Sequence, residues 1–121
     1  MPITLESYVL VALGGAVGAS ARYAAAVHLG PSAMTTAIVN VSGSLLIGLL
    51  IGSPWADQAR YRLLLGTGFL GGYTTFSALE LETYLAVRAG QLTEALANLI
   101  GSVVLGFIAA GAGLWLGSRL R

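Results

Sequence analysis

Residues 71–77 read Gly71-Gly72-Tyr73-Thr74-Thr75-Phe76-Ser77, inside an apolar block that extends from about Leu63 to Val87. Two adjacent glycines and two β-branched threonines weaken a helix at that point. A helix that unwinds at membrane depth exposes N–H and C=O groups that lipid cannot satisfy. Such a break is tolerated only when it is buried in protein or lines a cavity. Channels and transporters use breaks of this kind to place backbone carbonyls around cations and helix N-termini near anions. The alternative is a kinked but continuous helix whose threonines bond back to preceding carbonyls, since glycine pairs also cause simple kinks.

The block is one of four. Of 121 residues, 56% are hydrophobic and 9% charged. A soluble domain this small needs a charged coat, which 6 basic and 5 acidic side chains cannot supply. The expectation is an all-α membrane protein, residues 1–121 forming a single domain of four transmembrane helices over about 5–27, 34–51, 63–87 and 94–116, the third helix broken. Gly30-Pro31-Ser32 separates the first two spans, Gly52-Ser53-Pro54 ends the second, and Arg88-Ala89-Gly90-Gln91 closes the third. The N-terminus lacks the positive region of a signal peptide and its apolar stretch runs on too long, so the first block reads as a retained span.

Four spans put both termini on one side, with the loop between the second and third. That side carries Arg60, Arg62, Arg119 and Arg121, against Arg22 and Arg88 on the other. The positive-inside rule then places both termini in the cytoplasm, with the chain in the inner (plasma) membrane. Trp55 and Trp115 lie near span ends, where aromatic belts anchor helices.

Several classes of chemistry are excluded. Without cysteine there are no disulfides, thiolate metal sites or cysteine nucleophiles. A net charge of +1 does not suit nucleic acid. His28 has no acidic or nucleophilic neighbour in sequence, and Glu80 and Glu82, two apart, do not share a helix face. No enzyme is expected.

Small or polar residues recur four apart in three spans: Gly14, Gly18, Arg22; then Asn40, Ser44, Gly48, Gly52; then Asn98, Ser102, Gly106, Ala110. Each set is a ridge on one helix face, and small ridges let backbones approach closely in lipid. Asn40 and Asn98 differ, because an unpaired amide in an apolar span is costly. Each either pairs with a neighbouring helix or lines an aqueous path.

Gly14-Gly15-Ala16-Val17-Gly18-Ala19 followed by Arg22-Tyr23, Asn40-Val41-Ser42-Gly43-Ser44 with Gly48, and Gly71-Gly72-Tyr73-Thr74-Thr75-Phe76-Ser77 with Glu82 after it resemble, in order and in register, three motifs of the fluoride channel (Fluc, or CrcB) family. The resemblance implies passive, fluoride-selective export by an antiparallel dimer with two narrow pores. It implies a structural sodium ion at the dimer centre, held by backbone carbonyls of Gly71 and Thr74 from both subunits. It puts Asn40, Phe76, Thr75, Ser77, Ser102, Asn98 and the position of Leu79 along the anion path, and Arg22 and Glu82 at a vestibule. Asn40 would offer amide donors, Phe76 the positive edge of its ring, the hydroxyls a donor track, and Arg22 long-range attraction.

Three positions depart from that pattern. Leu79 stands where the family usually has a second phenylalanine, Asn98 where a tyrosine is common, and Gly106 where serine is frequent. The departures, with the arginine bias, suggest a non-conducting or half-conducting partner of a paralogous subunit as the alternative to a homodimer. A proton-coupled small multidrug transporter, also four-spanning, needs a carboxylate inside the membrane. Glu6 lies too near the N-terminus for that role, and the first span has no central acid.

Overall fold

The computed structural model describes residues 3–121, which among themselves are helical with no strand. Thr4 caps the first helix, α1 (Leu5–Leu29): its backbone is extended and its hydroxyl accepts from the Ser7 N–H at 3.2 Å. Gly30, at φ 89°, supplies the left-handed turn that ends α1. Ser32 caps α2 (Ala33–Gly52) by accepting from the Thr35 N–H at 3.2 Å. A short 3₁₀ turn, Pro54–Asp57, leads into a helical arm over residues 59–73. The arm comprises α3 (Ala59–Tyr61), a run of wide π-type turns (Arg62–Leu70) and α4 (Gly71–Tyr73). After Thr74 and Thr75 the chain resumes as α5 (Phe76–Arg88), and α6 (Leu92–Ser118) follows a turn at Gly90. By length and composition α1, α2 and α6 can each cross a membrane.

The interruption falls on the threonines rather than on the glycines before them. Thr74 (φ −83°, ψ 154°) and Thr75 (φ −146°, ψ 111°) are extended, while Gly71 and Gly72 stay helical. Gly72 is small for packing: a Cβ there would stand 3.1 Å from the Ala19 nitrogen and 2.5 Å from the Gly15 carbonyl oxygen on α1. The N–H and hydroxyl of Thr74 still donate to the Leu70 carbonyl, at 3.0 and 2.9 Å, but the Thr75 N–H leaves the helical ladder for Asn40 Oδ1, and the Thr75 hydroxyl accepts from the Ala78 N–H at 3.3 Å and starts α5.

Two glycine-mediated crossings hold the helices together. In the first, Gly48 and Gly52 of α2 meet the Ala110 and Leu114 carbonyls of α6, and Gly113 and Gly117 of α6 meet the Leu45 and Leu49 carbonyls of α2. In the second, Gly14 and Gly18 of α1 lie on the Leu64 and Phe69 carbonyls of the arm, and Gly68 lies on Val11 and Gly14. A side chain at any of these positions would collide with backbone, the arrangement by which helices associate in lipid. A Cβ on Gly106 would meet only the Ser44 hydroxyl, and one on Gly101 or Gly111 would meet no neighbouring segment within 4 Å among the described residues.

Large apolar side chains point outward, Val17 being 61% and Phe107 82% exposed, while the buried apolar residues are few. That inversion of a soluble core suits a surface solvated by acyl chains.

Polar contacts gather at the end of the molecule where α2 and α6 finish. Arg121 donates from Nε to the Gly52 carbonyl at 2.8 Å and from Nη2 to the Ser53 carbonyl at 3.0 Å. Its guanidinium also grips both carboxylate oxygens of Asp57 at 3.0 Å. Arg121 thus caps carbonyls that end α2, and its hydrogen bonds hold the Asp57 carboxyl below the usual carboxylate range. Arg60 pairs with Glu6 at 2.8 Å, and Arg119 lies over the Trp115 ring.

Candidate functional site

The interruption exposes backbone groups on both sides, and α2 takes them up residue by residue. The Asn40 amide lies against Thr75: Nδ2 donates to the Thr75 carbonyl at 2.9 Å, and Oδ1 accepts from the Thr75 N–H at 2.8 Å. Gly43 makes room for Thr74, whose methyl group stands where a Cβ would be. Ser42 meets the Tyr73 hydroxyl at 3.0 Å. On the opposite side, Arg22 Nε donates to the Gly72 carbonyl at 3.1 Å, spreading positive charge over the C-terminal end of the arm. Asn40 therefore answers the alternative posed by its position twice over: it pairs with a neighbouring segment and also borders an open cleft.

That cleft, about 410 Å³, lies between α2, the interruption and α6. Asn40, Thr75, Phe76, Leu79 and Ser102 line it, as do Gly71 and Thr74. Phe76 is 71% exposed, whereas Leu79 is buried, an apolar wall with no ring edge. Ser44 also lines the cleft, its hydroxyl donating to the Asn40 carbonyl at 2.9 Å. Its place in the i, i+4 ridge of α2 was the available signal, but the ridge reads equally well as packing.

Ser77 and Asn98 do not line this cleft. Ser77 is exposed, its hydroxyl 3.3 Å from that of Thr75, and Asn98 is half-buried, its Oδ1 3.5 Å from the Ser102 hydroxyl.

A second cleft of about 330 Å³ joins Arg22 and Glu82, with Thr75 on the wall of both. Glu82 Oε1 accepts from the Thr36 hydroxyl at 2.6 Å, and Oε2 is buried with no hydrogen-bond partner. Charged and polar groups thus converge in a cleft that shares the Thr75 wall with the first.

The break also leaves free acceptors. The Gly72 and Thr75 carbonyls are taken by Arg22 and Asn40, whereas among the described residues nothing donates to the carbonyls of Gly71 or Thr74. No cluster of three His, Cys, Asp or Glu residues capable of holding a metal occurs among the described residues. A cation here would be held by backbone oxygen, as unwound membrane helices hold sodium.

The model of the CrcB-like protein, Camphor Resistance (CrcB) family matches residues 9–114. A protein of Solibacter usitatus (strain Ellin6076) named fluoride-specific ion channel FluC is 44% identical, covering 93% of this chain and 96% of its own. One of Synechococcus sp. (strain CC9902), fluoride-specific ion channel FluC 2, is 45% identical over 97% of this chain and 84% of its own. Another, from Thermus thermophilus and also named fluoride-specific ion channel FluC, is 40% identical over 96% of this chain and 97% of its own. With its apolar helices and a match spanning the paired clefts and the interruption between them, this multi-pass membrane protein belongs to the CrcB-like family.

Proposed function

We propose that the chain is a channel subunit that lets fluoride leave the cell passively, in keeping with relatives named as fluoride-specific ion channels rather than as enzymes. The observation that carries this reading is the shared cleft in which the Asn40 amide, the Thr75 and Ser102 hydroxyls and the Phe76 ring stand together beside an interrupted helix. Fluoride is small and strongly hydrated, so a path must replace its water with closely spaced donors. Asn40 Nδ2 carries two hydrogens, one of which holds Thr75; the other is available to an anion. The Phe76 ring edge supplies a weaker positive surface, and Ser77 and Asn98 extend the donors beyond the cleft. Arg22 raises the anion concentration at the vestibule it shares with Glu82.

One copy makes half of such a path, because the cleft is open and Phe76 and Gly71 face outward. A second copy, inserted antiparallel in the plasma membrane, would close it, with α1, α2, the interrupted pair and α6 as four spans in each copy. Where one orientation is fixed, as for a chain paired with an oppositely inserted paralogue, its termini are cytoplasmic. The unpaired carbonyls of Gly71 and Thr74 fit a sodium ion at that centre, where a bound cation would neutralise converging oxygens and fix the two interruptions against each other.

Fluoride efflux from liposomes containing only the purified chain, with chloride as the comparison ion, tests the reading. Rapid fluoride loss with chloride retained is expected. Retention of both ions by folded, dimeric protein overturns conduction by this chain alone.

A further inference from the structure

We propose that Tyr73 is a positioning residue for the carbonyls of the interruption, acting through the hydrogen bond from its hydroxyl to Ser42. This inference rests on the reading of those carbonyls as a cation site. The direction of the bond follows from hydrogen counting. Ser42 has one hydroxyl hydrogen, which it donates to the Val39 carbonyl at 3.0 Å. Its oxygen is then the acceptor of the Tyr73 O–H at 3.0 Å.

The Tyr73 ring is fixed on two further sides. It stacks on Phe69 with centroids 5.8 Å apart and planes 10° from parallel, and its edge passes 3.4 Å from where a Cβ on Gly43 would be. Tyr73 is the last helical residue of the arm, and Thr75, two residues on, is pinned by Asn40. The peptide unit that orients the Thr74 carbonyl, one of the two read as the cation site, therefore lies between two side-chain tethers reaching the same helix. Asn40 holds one end and Tyr73 the other. The Thr74 N–H still reaches Leu70. The next peptide unit, which carries the Thr74 carbonyl, has no helical ladder to fix it, so its direction depends on Asn40 and on how firmly Tyr73 holds the helix end before it. A preorganised set of oxygens binds a cation more tightly than one that must be ordered on binding.

The test uses the full-length protein in detergent and reads thermal unfolding against sodium concentration, with potassium as the comparison cation. Tyr73→Phe keeps the ring and its stacking and removes only the hydroxyl. Losing one neutral hydrogen bond that orders the site should raise the sodium concentration for half-maximal stabilisation about fivefold. At saturating sodium, the midpoint of unfolding should return close to that of the parent. Ser42→Ala, which removes the acceptor, should give a similar shift, and the double variant should add little to either.

An unchanged sodium midpoint in Tyr73→Phe, or a loss of stability equal at every sodium concentration, would mean that the hydroxyl only packs the fold and would overturn the proposal. A parent protein that sodium does not stabilise more than potassium would remove the cation site itself, and the role of Tyr73 with it. That outcome appears before any variant is made, so the two failures are separable.

Discussion

The α2–α6 pair and the interrupted segment sit side by side and are held by opposite means. Between α2 and α6 the contacts are backbone on backbone: Gly48 and Gly52 on one helix, Gly113 and Gly117 on the other, each opposite a carbonyl of its neighbour. Both helices satisfy their own N–H and C=O groups, so this interface needs only closeness. The interruption leaves backbone groups without a helical partner, and Asn40, Arg22 and Ser42 approach it with polar side chains. One region is defined by the removal of side chains and the other by their chemistry. A substitution that adds volume should therefore damage the first region, and one that removes hydrogen-bonding capacity should damage the second.

The largest effect is expected at the glycine crossing. Gly113→Val places branched carbon against the Leu45 carbonyl, where only backbone could yield, and should cost about 3 kcal/mol. Unfolding in detergent, with the yield of monodisperse protein, measures it. Near-parental stability would show that the α2–α6 approach is looser than described.

Asn40 comes next. Asn40→Ala strips both Thr75 backbone groups of their partner and should cost about 2 kcal/mol. Asn40→Asp keeps an acceptor for the Thr75 N–H but loses the donor and adds negative charge, so fluoride efflux from liposomes should disappear. Undiminished efflux in that variant would take Asn40 out of the anion path.

A smaller effect of opposite sign sharpens the contrast between glycines. Gly101 has nothing within reach of a Cβ. Gly101→Ala should therefore stabilise α6 by roughly 0.5–1 kcal/mol through helix propensity alone. A loss at Gly101 would reveal a contact made only in the assembled channel.

The smallest effect belongs to the Arg121–Asp57 pair at the ends of these helices. The folded state depresses the Asp57 pKa. Its contribution is thus fully present above the ordinary value of about 3.9 and fades as pH falls through the lower folded value. Asp57→Asn should remove that acid-limb dependence of stability while leaving the neutral-pH fold intact. An acid limb identical in Asp57→Asn and the parent would assign it to other carboxylates.

Much of this was legible in the chain because membrane solvation is severe. Four apolar blocks with few charges leave little but helices, since lipid satisfies no backbone group. The same severity made residues 71–77 conspicuous and marked Asn40 as a residue requiring a partner. Spacing put Asn40 and Ser102 only on ridges that could equally be packing; the family resemblance singled them out with Thr75, Phe76 and Leu79, and these five line the cleft.

What the sequence left open was decided by azimuth and depth. All the ridges four apart look alike on paper. Only the crossing of α2 over α6 selects Gly113 and Gly117 as packing glycines, leaving Gly106 beside a hydroxyl and Gly101 bare. Likewise, Gly71 and Gly72 have the composition of an unwinding point, yet α1 presses on Gly72 and the helix persists to Tyr73. The threonines break instead, because the Thr75 N–H goes to Asn40 rather than to the Gly71 carbonyl and the Thr75 hydroxyl takes up the Ala78 N–H. Composition determined that this chain would be helical in a membrane and weakened in its third block, leaving a break or a kink open there. Which carbonyls the interruption leaves free was settled by tertiary contact, since a backbone group is free only when no neighbouring helix brings it a donor.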